Sequence, residues 1–300
     1  MENSIMKNNI LQPTHFGINT FIAIFLCLMV VVSCAENVDP IDNPDDPVVV
    51  DPKLGIGNPG VVGSGGVNAW DILPVTEKNR IKAWNTLFLH QSVGQDLEEG
   101  CKANGFPFEY FGPGDIAEKG LMGGIFVDVG GIANGDPYEK IRVFKEAVQR
   151  SKGKINIAVF KFGYADINDD NYSAVQDAYL KLVNDIRKEI PDLRWVHMTP
   201  PLVYSVESYE GNAARMKVGE WMRKIFLAKD VVFDLQALES NDGACQQGGV
   251  WRICPENRNS ASDPSDVNGI DTSDGQGHLG KKAAQRISKS FLMAIYNSAK

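Results

Sequence analysis

The chain has 300 residues, 43% hydrophobic, 23% charged and 9% aromatic. That balance supplies a buried core and excludes a mainly disordered chain, a collagen-like fibre or a disulfide-packed miniprotein. The formal net charge of −8 gives no basic footprint for nucleic acid, and much of the excess is local. Residues 35–53 carry Glu36, Asp39, Asp42, Asp45, Asp46 and Asp51 against Lys53 alone, which leaves the body of the chain close to neutral.

In chain order the first feature is an unbroken apolar run, Phe21 to Val32. A spanning helix needs about 20 apolar residues, so this shorter run fits the h-region of a secretory signal, preceded by a polar stretch with Lys7. The following Val31-Val32-Ser33-Cys34 resembles the lipobox of bacterial lipoproteins. The resemblance implies a signal over 1–33, a lipid on Cys34, and export to the outer membrane on its periplasmic or surface side. Residues 34–66 are rich in Asp, Pro and Gly without a helical period, which predicts an extended, solvated tether. Its acidic start is similar to the surface-export signals of Bacteroidetes lipoproteins, and an ordinary acidic linker is the alternative.

From Val67 onward the pattern alternates. Thr86–His90 predicts a strand, and VGQDLEEGCKANG a helix ending at Gly105. Phe106–Phe111 alternates like a strand. Pro137 at a first helical turn costs no hydrogen bond, and apolar residues then recur at helical spacing to about Arg150. A buried strand over Ile155–Gly163, a helix over about 172–190 stopped by Pro191, and a strand over Arg194–Met198 follow. Next come a helix over about 209–228, a strand over Val231–Leu235, a loop of about forty residues and a last helix over about 279–296. Strands alternating with helices predict one α/β domain over 67–300, with a parallel sheet covered on both faces. In such sheets ligands sit beyond the carboxyl ends of the strands.

Past Cys34 stand three cysteines. Cys245 and Cys254 bracket ACQQGGVWRIC and can close it as a disulfide, whereas Cys101 falls in a helix as a buried thiol. No cysteine or histidine spacing points to a metal, GLMGGIFVDVGG lacks the pattern of a nucleotide loop, and no cofactor is implied.

Ser92 falls where the first strand hands over to a helix, beside unpaired first-turn amides, a position suited either to an acyl-transfer nucleophile or to a plain N-cap. A serine nucleophile needs a base and an orienting group. His90, His197 and His278 all lie at element ends, and Asp274 stands four residues before His278.

FLHQSVG around Ser92, glycines after a later strand and the Asp–His pair opening the last helix resemble the SGNH (GDSL-like) hydrolases over about Leu87–Ile287. FLHQSVG is similar to the divergent branch of that superfamily with His or Gln before the serine. The resemblance implies a three-layer α/β/α sandwich with a flavodoxin-like parallel sheet of about five strands. It implies Ser92 as nucleophile, His278 as base and Asp274 as its orienting carboxylate, with Asp271 as an alternative. An oxyanion amide would come from Gly131, Gly130 or Gly124. Gly163-Tyr164-Ala165-Asp166 matches the third block, G-x-N-D, with Ala165 where the family has Asn; Asn134 is the substitute donor, and Tyr164 and Asp166 fall beside the substrate. The implied function is an exported serine esterase removing small acyl groups, acetyl above all, from a carbohydrate or another envelope ester. The alternative is a non-catalytic member of the same fold that binds glycan or a partner at the cell surface. Trp251, Arg252, Arg258 and Asn259 share the long last loop beside the expected site.

Overall fold

The computed structural model describes residues 53–207, 211–259, 265–266 and 276–300. The run Phe21–Val32 and Cys34 lie outside the described residues. In chain order the elements are β1 (Gly60–Val62), α1 (Gly65–Ile72), α2 (Val75–Arg80), β2 (Thr86–His90), α3 (Val93–Ala103), β3 (Glu109–Tyr110) and β4 (Leu121–Ile125). Then follow α4 (Phe126–Gly130), α5 (Pro137–Arg150), β5 (Ile157–Phe160), α6 (Tyr172–Glu189), β6 (Arg194–Met198), α7 (Asn212–Phe226) and β7 (Val231–Phe233). The chain closes with α8 (Leu235–Glu239), β8 (Gln246–Gln247), β9 (Val250–Trp251) and α9 (Lys281–Ala299).

Seven strands form one sheet in the order β1-β7-β6-β5-β2-β4-β3, every neighbouring pair parallel. The period-2 alternation of a strand puts successive side chains on opposite faces. Phe88, Val159, Val196 and Phe233 join one core with Val93, Leu97, Ile287, Phe291 and Ile295 of α3 and α9. Leu87, Leu89, Ala158, Phe160 and Trp195 join the other with Phe144 of α5, Tyr179 of α6 and Val218 of α7. The result is the expected α/β architecture, a sheet with helices on both faces.

Two strands exceed the five expected. β1 lies within the segment read as tether: Gly60–Val62 pairs with Val231–Phe233, and Gly55, Gly57 and Asn58 donate backbone hydrogen bonds to Ala299, Lys300 and Asn297. The folded unit therefore begins before Val67. β4 was hidden by its glycines. A Cβ at Gly123 would sit 1.6 Å from Glu98 Oε1, and one at Gly124 2.6 Å from the Phe111 carbonyl oxygen, so close packing demands the residues that weaken a strand signal. Phe106–Phe111 contributes only two strand residues.

Several boundaries follow from local chemistry. Asp136 caps α5 by accepting from the Glu139 amide, and Pro137 occupies its first position. Cys245 and Cys254, with Cα atoms 5.4 Å apart, are joined as a disulfide that spans the β8–β9 hairpin. Cys101 is a buried free thiol, and burial raises its pKa. No helix among the described residues is long and apolar enough to cross a membrane.

α3 and α9 lie side by side because α3 presents Gly100 to its neighbour. A Cβ there would stand 2.2 Å from the Ala284 carbonyl oxygen. Gly100→Ala is therefore expected to force the helices apart, at a cost of about 1–3 kcal/mol for overpacking. Thermal unfolding checks this, and an unchanged midpoint would count against so tight an approach.

Candidate active site

The carboxyl end of β2 and the first turn of α3 hold Ser92 in an unusual backbone conformation, φ 58° and ψ −111°. Positive φ is uncommon outside glycine and costs about 1–3 kcal/mol in such regions. A capping serine adopts extended backbone and bonds a first-turn amide; Ser92 does neither, for its side chain makes no cap bond. Its Oγ instead lies 2.7 Å from His278 Nε2.

The turn is braced from three sides. The Gly94 and Gln95 amides donate to the Gln91 and Ser92 carbonyls. Gly94 lets α3 start directly over His90, since a Cβ would meet that residue's Cβ at 2.3 Å. Fully buried Lys161, just beyond β5, donates from Nζ to the Gln91 and Phe162 carbonyls, 3.1 Å each. Burial, reinforced by Lys140, lowers the Lys161 pKa to about 8.

His278 arrives from the segment before α9, and its Nδ1 lies 3.0 Å from Asp96 Oδ2. The same oxygen accepts the Leu279 amide at 3.0 Å. An ionised carboxylate only accepts, so Nδ1 carries the proton and Nε2 is left to accept from Ser92 Oγ. Asp96 is completely buried and His278 is 7% exposed, which strengthens both hydrogen bonds relative to water. The side chain holding the imidazole is thus Asp96, one helical turn after Ser92. Asp274 and Asp271, expected in that place, lie outside the described residues. Asp96 was missed because it sits inside an amphipathic helix, yet Ser92, Asp96 and Gly100 recur at a spacing of four, one face of α3.

The other expected residues separate into two groups. Tyr164 stands edge-on to the imidazole, ring centroids 6.4 Å apart. Asn134 is exposed, and its Oδ1 is 3.3 Å from where a Gly163 Cβ would be. That places it at the carboxyl end of β5, the immediate neighbour of β2. Asp166 is taken up by the scaffold. It is buried, accepts the Gly135 amide at 2.9 Å and the Gly163 amide at 2.6 Å, and is gripped by Lys140 Nζ at 2.7 and 2.8 Å. Its work is to tie the Asn134–Gly135 loop to the end of β5. Gly131 also departs from expectation, because its amide donates to the Val127 carbonyl at the end of α4. The Ser92 amide, among the described residues, donates to no acceptor.

The remaining histidines belong to the scaffold. His90 Nε2 meets Glu98 Oε1 at 2.8 Å beneath the turn. His197 is buried against Phe226, ring centroids 3.7 Å apart, and bonds Tyr179 and Asp230; burial lowers its pKa. Trp251 packs against Gly243. Buried Glu239 accepts the Leu202 amide at 2.6 Å, and burial pushes its carboxyl well above the usual range. Leu202 in turn faces Gly277, whose Cβ would sit 2.8 Å from its carbonyl oxygen, so this contact helps fix the approach to His278. Among the described residues, Cys245, Cys254 and Glu256 form a cluster of metal-ligating types, but the disulfide leaves no thiolate there to ligate.

No protein-family model and no curated protein matches the chain. Solved structures do resemble it. A protein described as a platelet activating factor from Streptococcus pneumonia is 14% identical, with 76% of this chain and 88% of that one covered at a TM-score of 0.43. A carbohydrate esterase of family 3 from Talaromyces cellulolyticus is 15% identical, with 69% and 93% covered at 0.38. An acetyl esterase variant solved with acetate ion is 16% identical, with 68% and 92% covered at 0.38. At these identities no residue role passes from them to this chain.

Proposed function

We propose that the chain is a serine ester hydrolase of the SGNH type, working through Ser92, His278 and Asp96. The observation that carries the reading is the continuous relay of 2.7 Å from Ser92 Oγ to His278 Nε2 and 3.0 Å from His278 Nδ1 to Asp96 Oδ2, built on a strained serine backbone.

Ser92 Oγ attacks the acyl carbon while its proton passes to His278 Nε2. Asp96 holds the tautomer and stabilises the imidazolium that forms. The Ser92 amide and the Asn134 side-chain amide receive the developing oxyanion. His278 then returns the proton to the leaving alcohol, and water, activated by the same imidazole, releases the acid and regenerates Ser92. Asn134→Ala is expected to lower kcat by ~10²-fold, as loss of one oxyanion donor does; an unchanged kcat would remove Asn134 from the oxyanion site.

The SGNH resemblance supports a small acyl group, acetyl above all, carried by a carbohydrate or another envelope ester. The lipobox-like Val31–Cys34 supports an exported, lipid-anchored protein. Turnover of p-nitrophenyl acetate by the full chain beside Ser92→Ala tests the chemistry. Turnover that the substitution abolishes supports the esterase, and a folded protein without turnover favours the glycan-binding alternative.

A further inference from the structure

The loop after β6 and the segment after β9 converge on the backbone that carries His278. The Tyr204 amide donates to the Gln276 carbonyl at 2.6 Å, and the Asn259 amide to the His278 carbonyl at 2.7 Å. Arg258 bridges Leu279 in antiparallel fashion. Two guanidinium groups lie over the Tyr204 ring here, Arg258 with its Cζ 3.9 Å from the centroid and Arg252 at 4.5 Å.

These arginines differ from the ion-paired arginines of the fold. Arg80, Arg142, Arg187 and Arg223 each meet a carboxylate. Among the described residues, the side-chain partner of Arg252 and Arg258 is the Tyr204 ring. A cation–π contact satisfies a guanidinium's charge without taking its N–H donors, so a planar fork of donors is kept for a carboxylate or phosphate.

We propose that Arg252, Arg258 and Tyr204 form an oxyanion-binding subsite beside His278, which selects esters whose alcohol portion carries a carboxylate or phosphate. This inference rests on the esterase reading, and names the substrate class of that site. Both candidate sources of the anion share one chemistry, a bidentate acceptor for arginine.

Binding is measured by calorimetry on the Ser92→Ala variant, which leaves the ester intact. Three probes are compared: mono-O-acetylated methyl glucoside, its glucuronoside counterpart and its 6-phosphate. At least one acidic ester is expected to bind roughly 10-fold or more tightly than the neutral one, with the advantage reduced at high salt. Adding Arg252→Gln and Arg258→Gln brings that ratio close to one, whereas Arg258→Lys keeps part of it through charge alone. Which acidic ester is preferred separates carboxylate from phosphate. Equal binding of all three probes, binding of none, or a ratio that survives the double substitution in a protein with an unchanged unfolding curve overturns the subsite. Wild-type turnover of p-nitrophenyl acetate is read separately, so failure of the esterase reading is distinguishable from failure of the subsite.

Discussion

Replacing Ser92 by alanine is expected to lower ester turnover by ~10³-fold or more while leaving stability nearly unchanged. The hydroxyl makes its hydrogen bond to His278 and none to the helix it precedes, so its loss removes the nucleophile without uncapping α3. Alanine keeps the Cβ and with it the strain at φ 58°. Ser92→Gly separates the two effects. It is equally inactive, but it relieves the positive φ and is expected to unfold at a higher temperature than Ser92→Ala by the equivalent of about 1 kcal/mol. A strained residue whose replacement gains stability and loses activity is the signature of backbone held for function. Turnover and thermal melts of the two variants beside the wild type provide the check, and a capping role for Ser92 would leave both variants less stable than the wild type.

Asp96→Asn is expected to reduce kcat by ~10²–10⁴-fold, because an amide in place of the carboxylate neither fixes the Nδ1–H tautomer nor stabilises the imidazolium. Asparagine retains an oxygen that can accept the Leu279 amide, which Asp96 Oδ2 accepts at 3.0 Å, so the approach of α9 survives. Asp274→Asn in the same assay is expected to change kcat less than two-fold, since Asp96 already occupies Nδ1. The converse outcome, a large effect at Asp274 and a small one at Asp96, would move the orienting role to the loop before His278.

Ser92 and His278 were legible in the sequence for one physical reason: in an α/β chain, segments just beyond strand ends reach the carboxyl edge of the sheet. Both lie there. Asp96 was not, because the rule that pairs an acid with a nearby histidine works along the chain, whereas this pair forms between α3 and the segment leading into α9, 182 positions apart. The four-residue recurrence of Ser92, Asp96 and Gly100 held the information, a polar and small-residue stripe whose purpose shows only once α9 lies against it. Asp166 misled for the opposite reason. Its place in the motif is as expected, but its carboxylate turns inward to Lys140 and acts on the site through the loop that carries Asn134. β4 escaped notice because Gly123 and Gly124, needed where Glu98 and Phe111 approach, carry none of the branched side chains by which strands are recognised.

The most direct test of the central claim is fluorophosphonate labelling of the folded protein, with the modified residue located by peptide mass. An activated serine is phosphonylated at Oγ as fluoride departs. The account predicts a single adduct on the peptide containing Ser92, abolished in Ser92→Ala and slowed in Asp96→Asn. An adduct on a different residue, or ester turnover that persists without one on Ser92, would contradict it.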